Sequence, residues 1–327
     1  MKYFLNFRFL LIACSLIVGQ VVGAQAYGMP EIVAQQMDKR LAELSGLAGT
    51  LSQPDYFWAI NDSGNSASLI LVNEQGQYQD EVELTTLGNH DWEDLETFVY
   101  EGINYIAIAD IGDNFTRRKV YYVHLVPEPQ VSKNGKIGVV DEASIQTIAF
   151  QYEDGPRDAE ALGIDVAHQR VLLLTKRDAP PKMYSLPLVM KPKRFVYLAK
   201  SITQIPELGK MSIWGSYLAQ SLFAGLPTSM TVLPYLAMDK KSEAVTSASA
   251  ASDKNSDADI TSMAILSYGT LFLFDLINES PVFVRKTSEM RLPPMPQAEA
   301  VAQAQNGDFF IMSERVGSNM VKIAKTK

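Results

Sequence analysis

Soft metal ligands are nearly missing from this chain of 327 residues, which holds one cysteine, Cys14, and three histidines. Cys14 lies in the apolar run near the start, so a chain trimmed after Ala24 or Ala26 has no thiol. Disulfides, thiolate metal sites and cysteine nucleophiles then drop out. His124 reads as part of a strand and His168 as part of a distal turn, which leaves His90 alone near acidic residues and argues against zinc. Excess positive charge is missing as well. Against 37 Asp and Glu stand 29 Lys and Arg, a formal net charge of -8, and a chain so balanced does not bind nucleic acid through a basic surface. The sequence has no nucleophile elbow, because "DSGNS" around Ser63 lacks a strand running directly into a helix, and its scattered glycines form no phosphate loop.

What is present begins with a leader. Residues 1–26, "MKYFLNFRFLLIACSLIVGQVVGAQA", put Lys2 and Arg8 ahead of an apolar run that ends in small residues. That order predicts a signal peptide and a periplasmic or secreted mature chain, 27–327, without a transmembrane domain. Two alternatives stay open: a lipoprotein anchored at Cys14, because "LIAC" is similar to a lipoprotein box, and a retained membrane anchor.

The strongest pattern is an internal repeat. "LSGLAGTLSQPDYFWAINDSG" from Leu44, "WEDLETFVYEGINYIAIADIGDN" from Trp92, "AEALGIDVAHQRVLLLTKRD" from Ala159, the stretch from Val245 to Gly269 and "AEAVAQAQNGDFFIMSER" from Ala298 follow one plan. A small or acidic residue opens a short strand, a turn leads to a more apolar strand, and a polar cluster ends it. Third and fourth strands follow most units. The predicted fold is all-β, a β-propeller of five or six four-stranded blades in one domain. The last unit lacks a fourth strand, which residues 31–41 can supply. The apolar stretch at about 208–240 reads as an insertion, a cap or a sixth blade.

In each unit the first strand begins where the second ends, so polar residues gather at one mouth of the channel. The candidate metal ligands are Asn61, Glu93, Asp94, Asp110, Glu160 and Glu299, oxygen donors of the kind calcium prefers. Asp94, Asp110 and Glu160 are the candidate bases, and Asp62, Arg157, Lys176 and Arg315 the candidate ligand-binding groups. Crowded carboxylates must hold protons, pair with cations or bind a metal. The competing structural reading has Asp62, Asp110, Asp113 and Asn114 making turns and Glu160 pairing with Arg157 or Lys176.

Together, "ELSGLA", "WAINDSG", "DWEDLE", "IADIGDN", "RDAEALGID", "LLTKRD" and "QAEAVAQAQNGDFFIMSER" resemble secreted bacterial β-propeller proteins, distantly similar to the phytase-like and gluconolactonase/paraoxonase-like propellers. The resemblance implies a channel calcium that polarises an ester or lactone carbonyl, with Glu93 or Asp94, Glu160 and Glu299 as its ligands and Asn61 and Asp110 nearby. The chain departs from it in lacking a clear His pair, and in having few Lys or Arg for phosphate chemistry. Two functions follow: a metal-dependent hydrolase of esters, lactones or phosphoesters, or a non-catalytic propeller binding a small molecule or an envelope protein. The leader carries its own test. Intact mass of the exported protein should place its first residue near Gln25 or Tyr27, whereas an acylated start at Cys14 would establish the lipoprotein.

Overall fold

A computed structural model describes residues 27–208, 226–233 and 259–326. The leader, the stretch 209–225 and the stretch 234–258, which includes Thr246, lie outside the described residues. The chain is all-β and folds as a β-propeller. Strand β1 (Glu31–Gln36) stands apart at the N-terminus. The first four-stranded unit is β2 (Leu44–Gly49), β3 (Tyr56–Asn61), β4 (Ser68–Asn73) and β5 (Tyr78–Glu83). The second is β6 (Trp92–Tyr100), β7 (Ile103–Asp110), β8 (Tyr121–Pro127) and β9 (Gln146–Tyr152). The third is β10 (Ala159–Asp165), β11 (Arg170–Thr175), β12 (Lys182–Pro187) and β13 (Tyr197–Gln204). Next come β14 (Pro227–Val232), β15 (Ile260–Ser267), β16 (Thr270–Ile277) and β17 (Phe283–Arg291). Last are β18 (Ala298–Gln303), β19 (Phe309–Ser313) and β20 (Ser318–Ile323), against which β1 pairs antiparallel as the outermost strand. The outer strands of the second and third units also pair, in parallel, over Tyr197–Ala199 and Phe150–Tyr152.

The stretch expected to be an insertion, about 208–240, holds β14, the inner strand of the fourth unit. This corrects the assignment of that inner strand to residues after Val245. Pro227–Val232 pairs with β15 in the register that the other inner strands use. Its sequence, "PTSMTV", opens with Pro and Thr, whereas β6, β10 and β18 carry Glu at the matching position.

Apolar side chains fill the space between neighbouring units. Trp58 and Leu69 of the first unit pack with Trp92 and Ile106 of the second, and Leu125 and Phe150 of the second pack with Leu173 and Tyr184 of the third. Leu172 meets Phe274, Leu271 meets Phe309, and Phe310 meets Phe57 to close the ring between the last unit and the first. Each inner and second strand is buried on both faces, hence near-continuous apolar runs such as "VLLL" in β11, whereas the outermost β17 alternates with solvent.

Around the axis the inner strands are sheet edges, and their axis-facing N–H groups need acceptors. Two carboxylates of β6 supply them. Asp94 accepts from the N–H groups of Leu95, Leu162 and Met230 and from Ser229 Oγ. Glu96 accepts from the N–H groups of Ile164 and Val232 and from Thr231 Oγ1. Ser229 Oγ also receives the Val301 N–H at 3.3 Å, Thr228 Oγ1 donates to Ala298 O and Thr97 Oγ1 to Gly49 O, so these side chains link all five inner strands. At Gly46 the strands approach so closely that a Cβ would lie 2.7 Å from Leu95 Cδ2 and 3.0 Å from Leu95 N.

Asp94→Asn should therefore unfold at lower urea concentration, with a loss on the order of 3 kcal/mol, because its amide N–H₂ would face donors in a buried site. An unchanged urea midpoint would show that these bonds contribute nothing.

Candidate functional site

One irregularity recurs in each of the five units among the described residues. The register between first and second strand slips by one residue, leaving Ser45, Glu93, Glu160, Thr228 and Glu299 as the extra residues of β-bulges. A bulge re-aims a side chain, and here four of the five are turned into a polar cavity of about 130 Å³ at one mouth. Above them stands a second ring, made by the residue that follows each second strand. Asp62, Lys176, Tyr268 and Glu314 occupy it and line the cavity with Asn114 and Gln297. The exit residue is held by its own N–H: Asp62 donates to Glu43 O, Ile111 to Asp91 O, Lys176 to Asp158 O and Glu314 to Gln297 O. The far mouth is a separate hollow of about 50 Å³ below Leu95 and Glu96.

Of the residues expected at the mouth, the structure brings Asp62, Glu93, Glu160, Lys176 and Glu299 together. It does not bring the others. Asp94 sits one residue beyond the bulge, fully buried and bonded to its four donors. Asp110, also fully buried, turns away toward Arg118 at 2.7 Å and His90 Nδ1 at 2.8 Å. Despite burial, contacts with His124, Arg118 and His90 hold its carboxyl down at about 2. Asn61 donates to Arg40 O and lines a different hollow near Ser68 and Glu81. Arg157 is engaged with Asp154 at 2.7 Å and with the Tyr184 hydroxyl. Arg315 is exposed and is not a lining residue of the cavity, and its backbone N–H donates to Ala42 O. Asp113 is a turn former, accepting from the Arg117 and Arg118 N–H groups and from Tyr121 OH.

The mouth is overloaded with acid. Lys176 Nζ lies 2.7 Å from Glu160 Oε2 and 5.6 Å over the Tyr268 ring, while Tyr268 OH donates to Glu299 Oε1 at 2.8 Å. One ammonium therefore faces several carboxylates. Burial, with Lys176 opposing it, raises Glu299 to about 8 and Glu160 to about 7. Burial and the charges of Glu43 and Asp62 raise Glu314 to about 7. Burial and Glu160 push Glu93 well above its ordinary range, and the facing carboxylates hold Lys176 above its own.

Beside this half lies a tighter cluster that residue-by-residue reading missed. Asp62, Asp91 and Glu93 each bring an oxygen within 4.8 Å of the other two. Gly112 permits it: a Cβ there would overlap Glu93 Oε1 and the Asp91 carboxylate. Burial and Asp62 raise Asp91 to about 6. Oxygens on opposite sides of a bound calcium lie about 5 Å apart, and the donor set is all hard oxygen, so these residues fit calcium by spacing and chemistry. Ser45, a twentieth exposed, also lines the cavity, and its Oγ has no partner among the described residues. Asp91 was signalled by "HDWED", and Tyr268 and Glu314 by their place after a second strand.

No protein-family model matches this sequence, and no curated protein does. Solved structures of similar shape include a luciferin-regenerating enzyme, 8% identical with a TM-score of 0.43, covering 91% of this chain and 95% of that one. A soluble aldose sugar dehydrogenase from Escherichia coli in the apo-form is 9% identical, with a TM-score of 0.42 and coverage of 91% and 99%. A calcium-binding regucalcin from Agrobacterium tumefaciens is 9% identical, with a TM-score of 0.41 and coverage of 90% and 96%. No helix among the described residues is long and apolar enough to cross a membrane.

The raised carboxyls set a sign for the pH dependence. Between about 4.5 and 8 the folded chain keeps the Glu299 proton that the unfolded chain has released, so this group costs stability as pH rises through that window. Glu299→Gln stays neutral and keeps an acceptor for Tyr268. With divalent cations chelated, its urea stability should exceed that of the wild type by an amount that grows from about 1 kcal/mol at about pH 5 to on the order of 4 kcal/mol at about pH 8. A pH-independent difference would place no proton on Glu299.

Proposed function

We propose that this propeller binds a divalent cation, calcium first, at Asp62, Asp91 and Glu93, and that it acts there on a small ester, lactone or phosphoester. The observation that carries this reading is the convergence of those three carboxylates beside a polar cavity. A cation bound there supplies Lewis acidity toward a carbonyl or phosphoryl oxygen. The chain's own groups do the rest. Glu160, raised to about 7, takes a proton near neutrality, where a general base works best. Lys176, 2.7 Å from it, offers an ammonium to an anionic part of the substrate. Glu299 in its protonated form can return a proton to a leaving group, with Tyr268 holding its other oxygen.

A second reading, a non-catalytic binding propeller, is favoured by one feature: Glu160 is already spent on Lys176. Both readings share the cation, so the cation is tested first. Calcium at a hundredfold excess over its Kd should stabilise the wild type by about 2.7 kcal/mol, a gain that chelator, Asp91→Asn or Glu93→Gln removes. Absence of any calcium shift in thermal unfolding sinks the site. A shift that both variants abolish, with no turnover of esters, lactones or phosphoesters by the wild type, leaves the binding reading standing.

A further inference from the structure

In the second half of the third unit the chain reverses its charge. Residues 179–206 hold no Asp or Glu and five cations, Lys182, Lys191, Lys193, Arg194 and Lys200, in a protein of net charge -8. Lys182 is paired with Asp154 at 2.9 Å. The other four are exposed, and among the described residues no ion pair engages them. Glu153, which faces this segment, is occupied by the Ser201 N–H at 2.8 Å.

The same segment exposes apolar surface. Phe195 is 52% exposed, Val196 44% and Leu198 41%, so three cations precede the apolar group and one follows it. The turn that presents them is built: the Phe195 N–H donates to Lys193 O at 2.8 Å, the Lys193 N–H donates to the Tyr197 hydroxyl at 3.2 Å, and the Phe195 and Tyr197 rings lie 4.3 Å apart. Strand β13 pairs on both sides, with β12 and β9. A peptide therefore cannot add to it as a further strand over Tyr197–Ala199, and the surface must act through its side chains.

We propose that this turn, Lys191–Lys200, docks the propeller on an anionic lipid bilayer. The unpaired cations call for an anionic partner. A polyanion in water would pair with them and leave Phe195, Val196 and Leu198 wet, whereas a bilayer offers acidic head groups and, just beneath, a medium for apolar side chains. Lysine and arginine stems suit that boundary, since they cover apolar surface while their charges stay at head-group level. Three exposed apolar side chains, two in the turn and Leu198 at the start of β13, fall well short of the roughly 800 Å² per partner that a stable protein interface buries. The chain's overall negative charge is screened beyond a Debye length of about 8 Å, so the surface nearest the bilayer decides.

The test is sedimentation of the purified protein with vesicles of phosphatidylglycerol mixed into phosphatidylcholine, and with vesicles of phosphatidylcholine alone. The wild type should partition onto the anionic vesicles, and less so as salt is raised. Replacing Lys191, Lys193, Arg194 and Lys200 by Gln should lower partitioning on the order of a hundredfold. Phe195→Ser combined with Leu198→Ser should lower it by about tenfold or more while the preference for anionic lipid remains. All proteins compared carry the same N-terminal segment, so the differences report this turn. Thermal unfolding matching the wild type confirms that each variant is folded, and a variant that fails this check is replaced by the single Arg194→Gln and Phe195→Ser changes, each expected to retain part of the loss. Equal binding to both kinds of vesicle, or wild-type binding by the folded Gln variant, overturns the proposal. So does retention on polyglutamate without vesicle binding, which would assign the turn to an acidic protein.

Discussion

Sheet edges meeting around one axis impose a constraint that the rest of this structure answers. An inner strand of a blade has a neighbour on one side only, and the N–H groups on its other side face a channel too narrow for another strand. Asp94 and Glu96 resolve this by reaching from β6 to the backbones of β10 and β14. Each carboxylate accepts at several points, which one more neutral side chain could not do. Burial pushes both carboxyls well above their ordinary range, and the donated hydrogen bonds work against that. Contacts made only of donors favour the ionised form. The axis is thus plugged by carboxylates held in hydrogen bonds, and the channel becomes two shallow mouths.

The plug also explains the mouth above it. In four of the described inner strands the bulge turns its extra residue toward the mouth while the next residue stays at the axis. In β6 both positions are acidic, Glu93 above and Asp94 below, and they do opposite things. Asp94 is saturated. Glu93 stands with Glu160, Glu299, Glu314, Asp62 and Asp91 around one lysine. Satisfying these groups internally would have required several more cations. The surplus of acid over base at this one place makes it a site where protons or an added cation change stability.

Charge is distributed in the opposite sense at the rim of the third unit. There the loop from β12 to β13 and the start of β13 carry cations with no acidic neighbours in sequence. An acidic pole and a basic, apolar edge on one scaffold separate what the molecule holds from what it faces.

Much of this was legible in the sequence, and the reason is repetition. Glu93, Glu160 and Glu299 fall at one position of one repeat, and antiparallel pairing then obliges Lys176 and Asp62 to stand over that ring. The role of β1 as closing strand followed from the missing fourth strand of the last unit. Sequence alone did not separate Glu93 from Asp94, because adjacent carboxylates look equivalent until a bulge assigns one to the mouth and the other to the axis. It misplaced Asp110, whose direction depends on Arg118 and His90 folding back over the end of β7. It passed over β14, since a strand without the acidic marker resembles any apolar stretch until a partner fixes its register. Alternation, repeat length and charge are local properties that a sequence states outright. Which of two neighbouring acids meets water and which meets backbone amides from two other blades is decided by contacts some 70 and 135 residues away in the chain, and only the closed ring creates them.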